Sequence, residues 1–198
     1  TLQPNKRYYF HIYSKNGAGS WSAAGVSEAV LVDHTPSGAP SVTDRGKVVD
    51  GRHMTASKER LGAIYSEAAD NETGVIQYAC SIGSSDQGGA YPGSIYSRNI
   101  MDIKLYGADI RKCWGYSLPL KHNTTYYFHI YAKNGAGLWS SAGVSQGTST
   151  DHTAPETPKI IDNGQFTSSA STMSAQWDAA KDPESGIKSY GCSIGTSK

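Results

Sequence analysis

Tyr8–Thr35 reads YYFHIYSKNGAGSWSAAGVSEAVLVDHT, and Tyr126–Thr153 reads YYFHIYAKNGAGLWSSAGVSQGTSTDHT. The two stretches match at 20 of 28 positions without a gap, 118 residues apart. Self-similarity at a fixed period is the signature of a repeated structural unit. Within the block, apolar and polar residues alternate. Tyr126, Phe128, Ile130 and Ala132 fall on one face, and Tyr127, His129, Tyr131 and Lys133 on the other. That period of two predicts a strand with one buried face. Asn134-Gly135 follows as a hairpin signal, and Leu138–Thr150 is expected to return as the last strand.

A second block sets the frame. Asp70–Gly83 (DNETGVIQYACSIG) recurs as Asp182–Gly195 (DPESGIKSYGCSIG), 112 residues on. The order of the blocks predicts the tail of one repeat over Thr1–Pro36, a whole repeat over Ser37–Ala154, and the first part of a third over Pro155–Lys198. On this reading the chain is a segment of a longer array. A unit of this size suits a single domain. The joints are the matched stretches Asp33–Pro40 and Asp151–Pro158, whose prolines predict stiff, extended connectors.

Between these landmarks the sequence predicts short strands. Ser41–Gly46 and Lys159–Gly164 read as a first strand, and Glu59–Tyr65 and Thr172–Trp177 as a second. Val75–Ile82 reads as a third, with Val75, Tyr78, Cys80 and Ile82 inward. Asp-x-Glu-[Thr/Ser]-Gly before it is turn chemistry. Ser84–Leu118 is rich in Gly and aromatics and predicts one or two strands joined by long loops. No stretch carries a helical period. The fold expected is all-β, a tandem set of antiparallel sandwiches.

Leu120-Lys121-His122-Asn123-Thr124-Thr125-Tyr126 resembles the corner before the sixth strand of fibronectin type III domains. Ile130, Ala132, Asn134 and Gly137 continue that pattern, as do Ile12, Ser14, Asn16 and Gly19 after Tyr8. Trp177 matches the family's core tryptophan on the second strand. Tyr65 stands there in the middle repeat, a departure expected to loosen that core. Val75/Tyr78 and Ile187/Tyr190 match the third-strand pattern. The resemblance covers the chain outside Ser84–Leu118 and implies immunoglobulin-like sandwiches, with Tyr8 and Tyr126 as structural corners. The linkers and Asp182-Pro183-Glu184-Ser185-Gly186-Ile187 look like versions found in prokaryotic secreted and cell-surface proteins.

Composition narrows the function classes. Formal net charge is +1, which removes the electrostatic ground for a nucleic-acid or anionic-membrane partner. No apolar run reaches the ~18–20 residues a membrane helix needs. The six histidines include the equivalent pairs His11/His129 and His34/His152, so they belong to the repeat. No nucleophile triad, metal-ligand or phosphate-loop spacing is present, and the chain reads as non-catalytic.

Cys80 and Cys192 are repeat-equivalent, which leaves Cys80 and Cys113 as the pair of one full repeat. They are a disulfide candidate that would fit an oxidising compartment. Two buried thiols are the alternative. Asp33, Asp70, Glu72, Asp151, Asp182 and Glu184 lie in linkers and turns. They would either clamp a calcium ion between repeats or cap turns and face solvent. The strip of Tyr127, His129, Tyr131 and Lys133, with its copy from Tyr9 to Lys15, reads as an aromatic platform or as ordinary cross-strand pairing. Tyr91, Tyr96, Tyr106, Trp114 and Tyr116 make the insertion the better binding candidate, because loops on a rigid sandwich carry recognition. Asn71 and Asn123 begin glycosylation sequons, and Asn in a corner turn is also a structural choice.

The leading expectation is a spacer, stalk or filament block of an extracellular or cell-surface protein. Its partners would be neighbouring repeats and further copies in a filament or surface layer. The other expectation is an adhesin or carbohydrate-binding accessory module that takes a glycan or protein ligand on the insertion.

Overall fold

A computed structural model describes residues 1–84, 86, 100–107 and 110–196, with 100–105 as backbone only. All of its regular structure is strand. The first segment holds β1 (Arg7–Tyr8), β2 (His11–Ile12), β3 (Gly25–Val26) and β4 (Val30–Leu31). The central unit follows with β5 (Val42–Asp44), β6 (Lys47–Val49), β7 (Arg52–Thr55), β8 (Leu61–Tyr65), β9 (Val75–Gly83) and β10 (Ile100–Gly107). It is completed by β11 (Lys112–Gly115), β12 (Thr125–Asn134), β13 (Gly143–Val144) and β14 (Thr148–Thr150). The third segment holds β15 (Ile160–Asp162) and β16 (Ala175–Trp177).

Two sheets face each other in the central unit. One runs β11-β8-β5, and the other runs β10-β9-β12-β14-β7-β6 with β13 also on β12. Every pairing is antiparallel except β14 on β7. This is a two-layer sandwich of the immunoglobulin-like, fibronectin type III class. Its core is where the alternation placed it. Leu61, Ala63 and Tyr65 of β8 meet Tyr78, Cys80 and Ile82 of β9, and Phe128, Ile130 and Ala132 of β12 are wholly buried. Val75 joins the same core despite its odd parity. The register against β12 passes from Lys133↔Gln77 to Asn134↔Val75, and that bulge skips Ile76, which is exposed. A bulge of one residue swaps the face on which the next side chain falls.

Three departures from the sequence expectation stand out. The hairpin β6–β7 lies outside the strands the sequence predicts; Asp50 and Gly51 at its tip have φ of 48° and 78°, the backbone of a two-residue hairpin turn. Leu138–Thr150 is not one strand. It breaks at Gly147 (φ 96°), and beyond the break β14 pairs with both β12 and β7. The hairpin after β12 does turn through Gly135 and Ala136, with the Gly137 amide donating to the Asn134 carbonyl at 3.0 Å, but the positive φ falls at Gly137 (91°) and not at Gly135. Asn134 closes it by accepting the Leu138 amide on its side-chain oxygen at 2.8 Å.

The first segment repeats the β12–β13–β14 pattern with β1 on β4 and β2 on β3, but without an opposing sheet. Phe10 is 70% exposed where its equivalent Phe128 is 0%.

Candidate functional site

The tyrosine corners are built alike. Tyr126 accepts the Lys121 amide on its hydroxyl at 2.8 Å, and Tyr8 accepts the Gln3 amide at 2.9 Å. Asn5 and Asn123, equivalent in the repeat, both sit at positive φ (56° and 51°). Their amides donate to Val32 and Thr150 carbonyls. Asn tolerates this left-handed conformation better than most residues. A second tyrosine pin was missed in the sequence: Tyr78 holds the Ala68 amide and Tyr190 the Ala180 amide, each at 2.9 Å. Tyr65 does not leave its site empty. Its ring packs against Tyr78 at 5.0 Å, as Trp177 packs against Tyr190 at 5.6 Å. Its hydroxyl, however, is buried without a hydrogen-bond partner among the described residues, and burial pushes its pKa up.

Cys80 and Cys113 form a disulfide. It ties β9 to β11, and hence one sheet to the other, through the core. Cys192 is a free, exposed thiol.

The linker and turn carboxylates come together in pairs at two joints. Asp33 accepts the Thr35 amide and hydroxyl on Oδ1 at 2.9 and 3.1 Å, an Asx-turn that shapes the linker. Its Oδ2 accepts the Thr73 hydroxyl at 2.6 Å and the Asn134 side-chain amide at 2.8 Å. Asp70 accepts the Thr73 and Gly74 amides, both at 2.8 Å. Asn134 also reaches Asp70 at 3.1 Å and the Thr35 carbonyl at 2.8 Å.

The second joint repeats the geometry. Asp151 accepts the Thr153 amide and hydroxyl on Oδ1 at 3.0 and 2.9 Å, and the Ser185 hydroxyl on Oδ2 at 2.6 Å. Asp182 accepts the Ser185 amide at 2.8 Å. The Thr73 hydroxyl holds the Asp33 carboxyl below its ordinary range, and the Ser185 hydroxyl does the same for Asp151.

Protein donors therefore occupy these carboxylates. Among the described residues no group of three or more His, Cys, Asp or Glu is placed to hold a metal ion. Glu184 instead lies 3.3 Å from His122 Nε2, while His122 Nδ1 accepts the His152 amide at 3.1 Å. The sequence offered one clue to this staple, the hydroxyl residue shared by the two Asp-x-Glu-[Thr/Ser]-Gly turns. The same Thr73 closes the sequon at exposed Asn71, and Glu72 is half-buried.

The aromatic candidates divide. Tyr91 and Tyr96 lie outside the described residues. Tyr106 is half-buried and packs against the core. Trp114 and Tyr116 lie on the outer side of the β11-β8-β5 sheet, with rings stacked at 6.4 Å. Arg45 covers Trp114 at 5.3 Å and Arg60 covers Tyr116 at 5.1 Å. Trp114 pairs with Gly62 across β11 and β8, and a Cβ at Gly62 would come within 2.5 Å of the indole. Only glycine lets the ring lie on the strand. Arg45, Thr55, Ser57, Arg60, Gly62 and Trp114 are among the residues lining a cleft of about 260 Å³ beside it.

The strip on β12 is not an open platform in the central unit. His129 and Tyr131 are buried there at 3% and 9% exposure, whereas Tyr9 and Tyr13 of the first segment are exposed.

No helix of the described residues is long and apolar enough to cross a membrane. No family model matches the chain, and no curated protein matches it. Three solved structures are similar to parts of it. One is the chicken CNTN1 FN1–FN3 domains, at 16% identity and a TM-score of 0.39 over 66% of this chain and 37% of that one. A second is described as a myokine structure, at 20% identity and a TM-score of 0.33 over 57% of this chain and 93% of that one. The third is titin domains A168–A170, at 15% identity and a TM-score of 0.40 over 74% of this chain and 41% of that one. The chain thus spans well under half of the first and third structures. Those likenesses are too slight to bear on function, and the fold rests on the sheet order and the core of the central unit.

Proposed function

We propose that this chain is a non-catalytic segment of an extracellular or cell-surface protein, a rigid spacer, stalk or filament block made of tandem sandwiches. The repeat frame is Thr1–Pro36, Ser37–Ala154 and Pro155–Lys198. The observation that carries this reading is the staple made twice over. Asp33 reaches Thr73, and Asp151 reaches Ser185, each at 2.6 Å. A linker that only tethered domains would need no such bond, and Gly/Ser composition would serve it. Here each linker aspartate shapes its own turn with one oxygen and grips the following unit with the other. The disulfide supports an oxidising compartment.

The test is orientation in solution. Residual dipolar couplings of the 198-residue chain should fit one alignment tensor for the first segment and the central unit together. Asp33→Ala should split them into two. Independent tumbling of the unsubstituted chain would sink the spacer reading.

An adhesin or glycan-binding accessory module is the second reading. The observation favouring it is the arginine-flanked aromatic cleft.

A further inference from the structure

We infer that the cleft beside Trp114 is a binding site for an acidic saccharide, a pyranose ring bearing a carboxylate or a sulfate.

The argument starts from donors. Arg45 and Arg60 stand at the two ends of the Trp114–Tyr116 stack, each with its guanidinium over a ring. Stacking occupies the face of a guanidinium and leaves its N–H edge free, and it limits the side-chain entropy lost when that edge takes a ligand. Among the described residues neither arginine has a carboxylate within ion-pair distance.

The hydroxyls in the cleft are set the same way. Ser57 Oγ already accepts the Glu59 and Arg60 amides, at 3.4 and 2.9 Å. Thr55 Oγ1 accepts the Ser57 amide at 3.1 Å. With its acceptor side engaged, each hydroxyl has its hydrogen left to give. None of the described lining residues is acidic. The cleft therefore offers donors and positive charge, and its matching ligand carries acceptors and negative charge.

Shape narrows the class. The cleft holds about 260 Å³, room for a single sugar ring. Its apolar wall is the edge of the indole, which suits the C–H edge of a pyranose, while ring hydroxyl oxygens meet Ser57 and Thr55. The site is also built rather than incidental: Gly62 is the residue that lets the indole lie where it forms the wall.

The test uses the whole chain and four probes: a uronic-acid tetrasaccharide, a sulfated tetrasaccharide, a neutral glucose tetrasaccharide and a phosphoserine peptide. The readout is the indole N–H resonance of Trp114, assigned with Trp114→Phe. One or both acidic tetrasaccharides should shift it, and which one does distinguishes carboxylate from sulfate. Arg45→Gln and Arg60→Gln should each weaken that binding by roughly tenfold or more. Arg7→Gln on β1 should leave it unchanged. If a glutamine variant fails to fold, the lysine variants replace it, keeping the charge and losing the planar donor edge. They should bind more weakly than the unsubstituted chain. The inference falls if the neutral sugar binds as tightly as the acidic ones or if the phosphopeptide binds more tightly. It also falls if the arginine variants bind like the unsubstituted chain, or if no probe shifts the resonance at millimolar concentration.

Discussion

Two residues at the core edge carry polar atoms that the fold does not fully satisfy. Tyr65 occupies the place of Trp177, and its ring fills that place against Tyr78, but its hydroxyl has no partner among the described residues. A buried, unpaired hydroxyl costs its desolvation. Tyr65→Phe should therefore raise unfolding free energy by about 1 kcal/mol, read as a higher urea midpoint with an unchanged slope. Asp44 is the second case. It is buried, its Oδ2 accepts the Gly147 amide at 2.8 Å, and Oδ1 has no partner among the described residues. Burial pushes its pKa above the ordinary 3.8, against the Ser145 hydroxyl and the Gly147 amide, which pull it down. A carboxyl raised in the folded state favours folding most below its unfolded pKa and loses that contribution as pH climbs through the folded value. Asp44→Asn should then gain on the unsubstituted chain as pH rises from below 3.8 to neutrality. Melting curves at pH 3 and pH 7 check the sign; an equal difference at both would refute it.

Elements are decided by pairing as much as by pattern. Val75–Gly83 is a nine-residue strand because β10 and β12 flank it. Its copy, Ile187–Gly195, has neither neighbour and forms no strand. Alternation marks which face would be buried, yet unpaired backbone amides have no reason to leave water. The hairpin β6–β7 shows the opposite lapse. Its Asp50-Gly51 signal, between Val48-Val49 and Arg52, was present in the sequence but is short and local. The disulfide acts at this scale too, closing a loop of 33 residues between β9 and β11. Chain-entropy reasoning gives it roughly 3–4 kcal/mol. The double variant Cys80→Ala/Cys113→Ala should lose about that much in urea unfolding, and reduction of the unsubstituted chain should reproduce the loss.

At the scale of the whole molecule the joints set the behaviour. Asp33 and Asp151 are held below the ordinary aspartate value of 3.8, chiefly by the Thr73 and Ser185 hydroxyls. For a depressed carboxyl the stabilisation is present above the unfolded pKa and is lost as pH falls through the folded one. The staples should thus hold at neutral pH and release only below about pH 3.8. Small-angle scattering on acidification should show a more flexible chain in that window, ahead of the loss of the central unit's near-ultraviolet signal. A chain already flexible at neutral pH would refute the assignment.

The sequence by itself determined the fold class, the places of most framework strands along the chain and the inward face of β9 and β12. Those follow from local chemistry: a period of two, turn residues at fixed places, and a repeat that reads the same instruction twice. It also narrowed the carboxylates to linkers and turns, and Cys80 and Cys113 to one unit. Only the tertiary structure decided what those residues meet. Asp33 reaches Asn134 across 101 positions, and Arg45, Gly62 and Trp114 become neighbours through the pairing of β5, β8 and β11. Contacts so distant in sequence leave no periodic trace. They exist because two sheets must close on one core, and closing them brings the linker to the turn and the arginines to the rings.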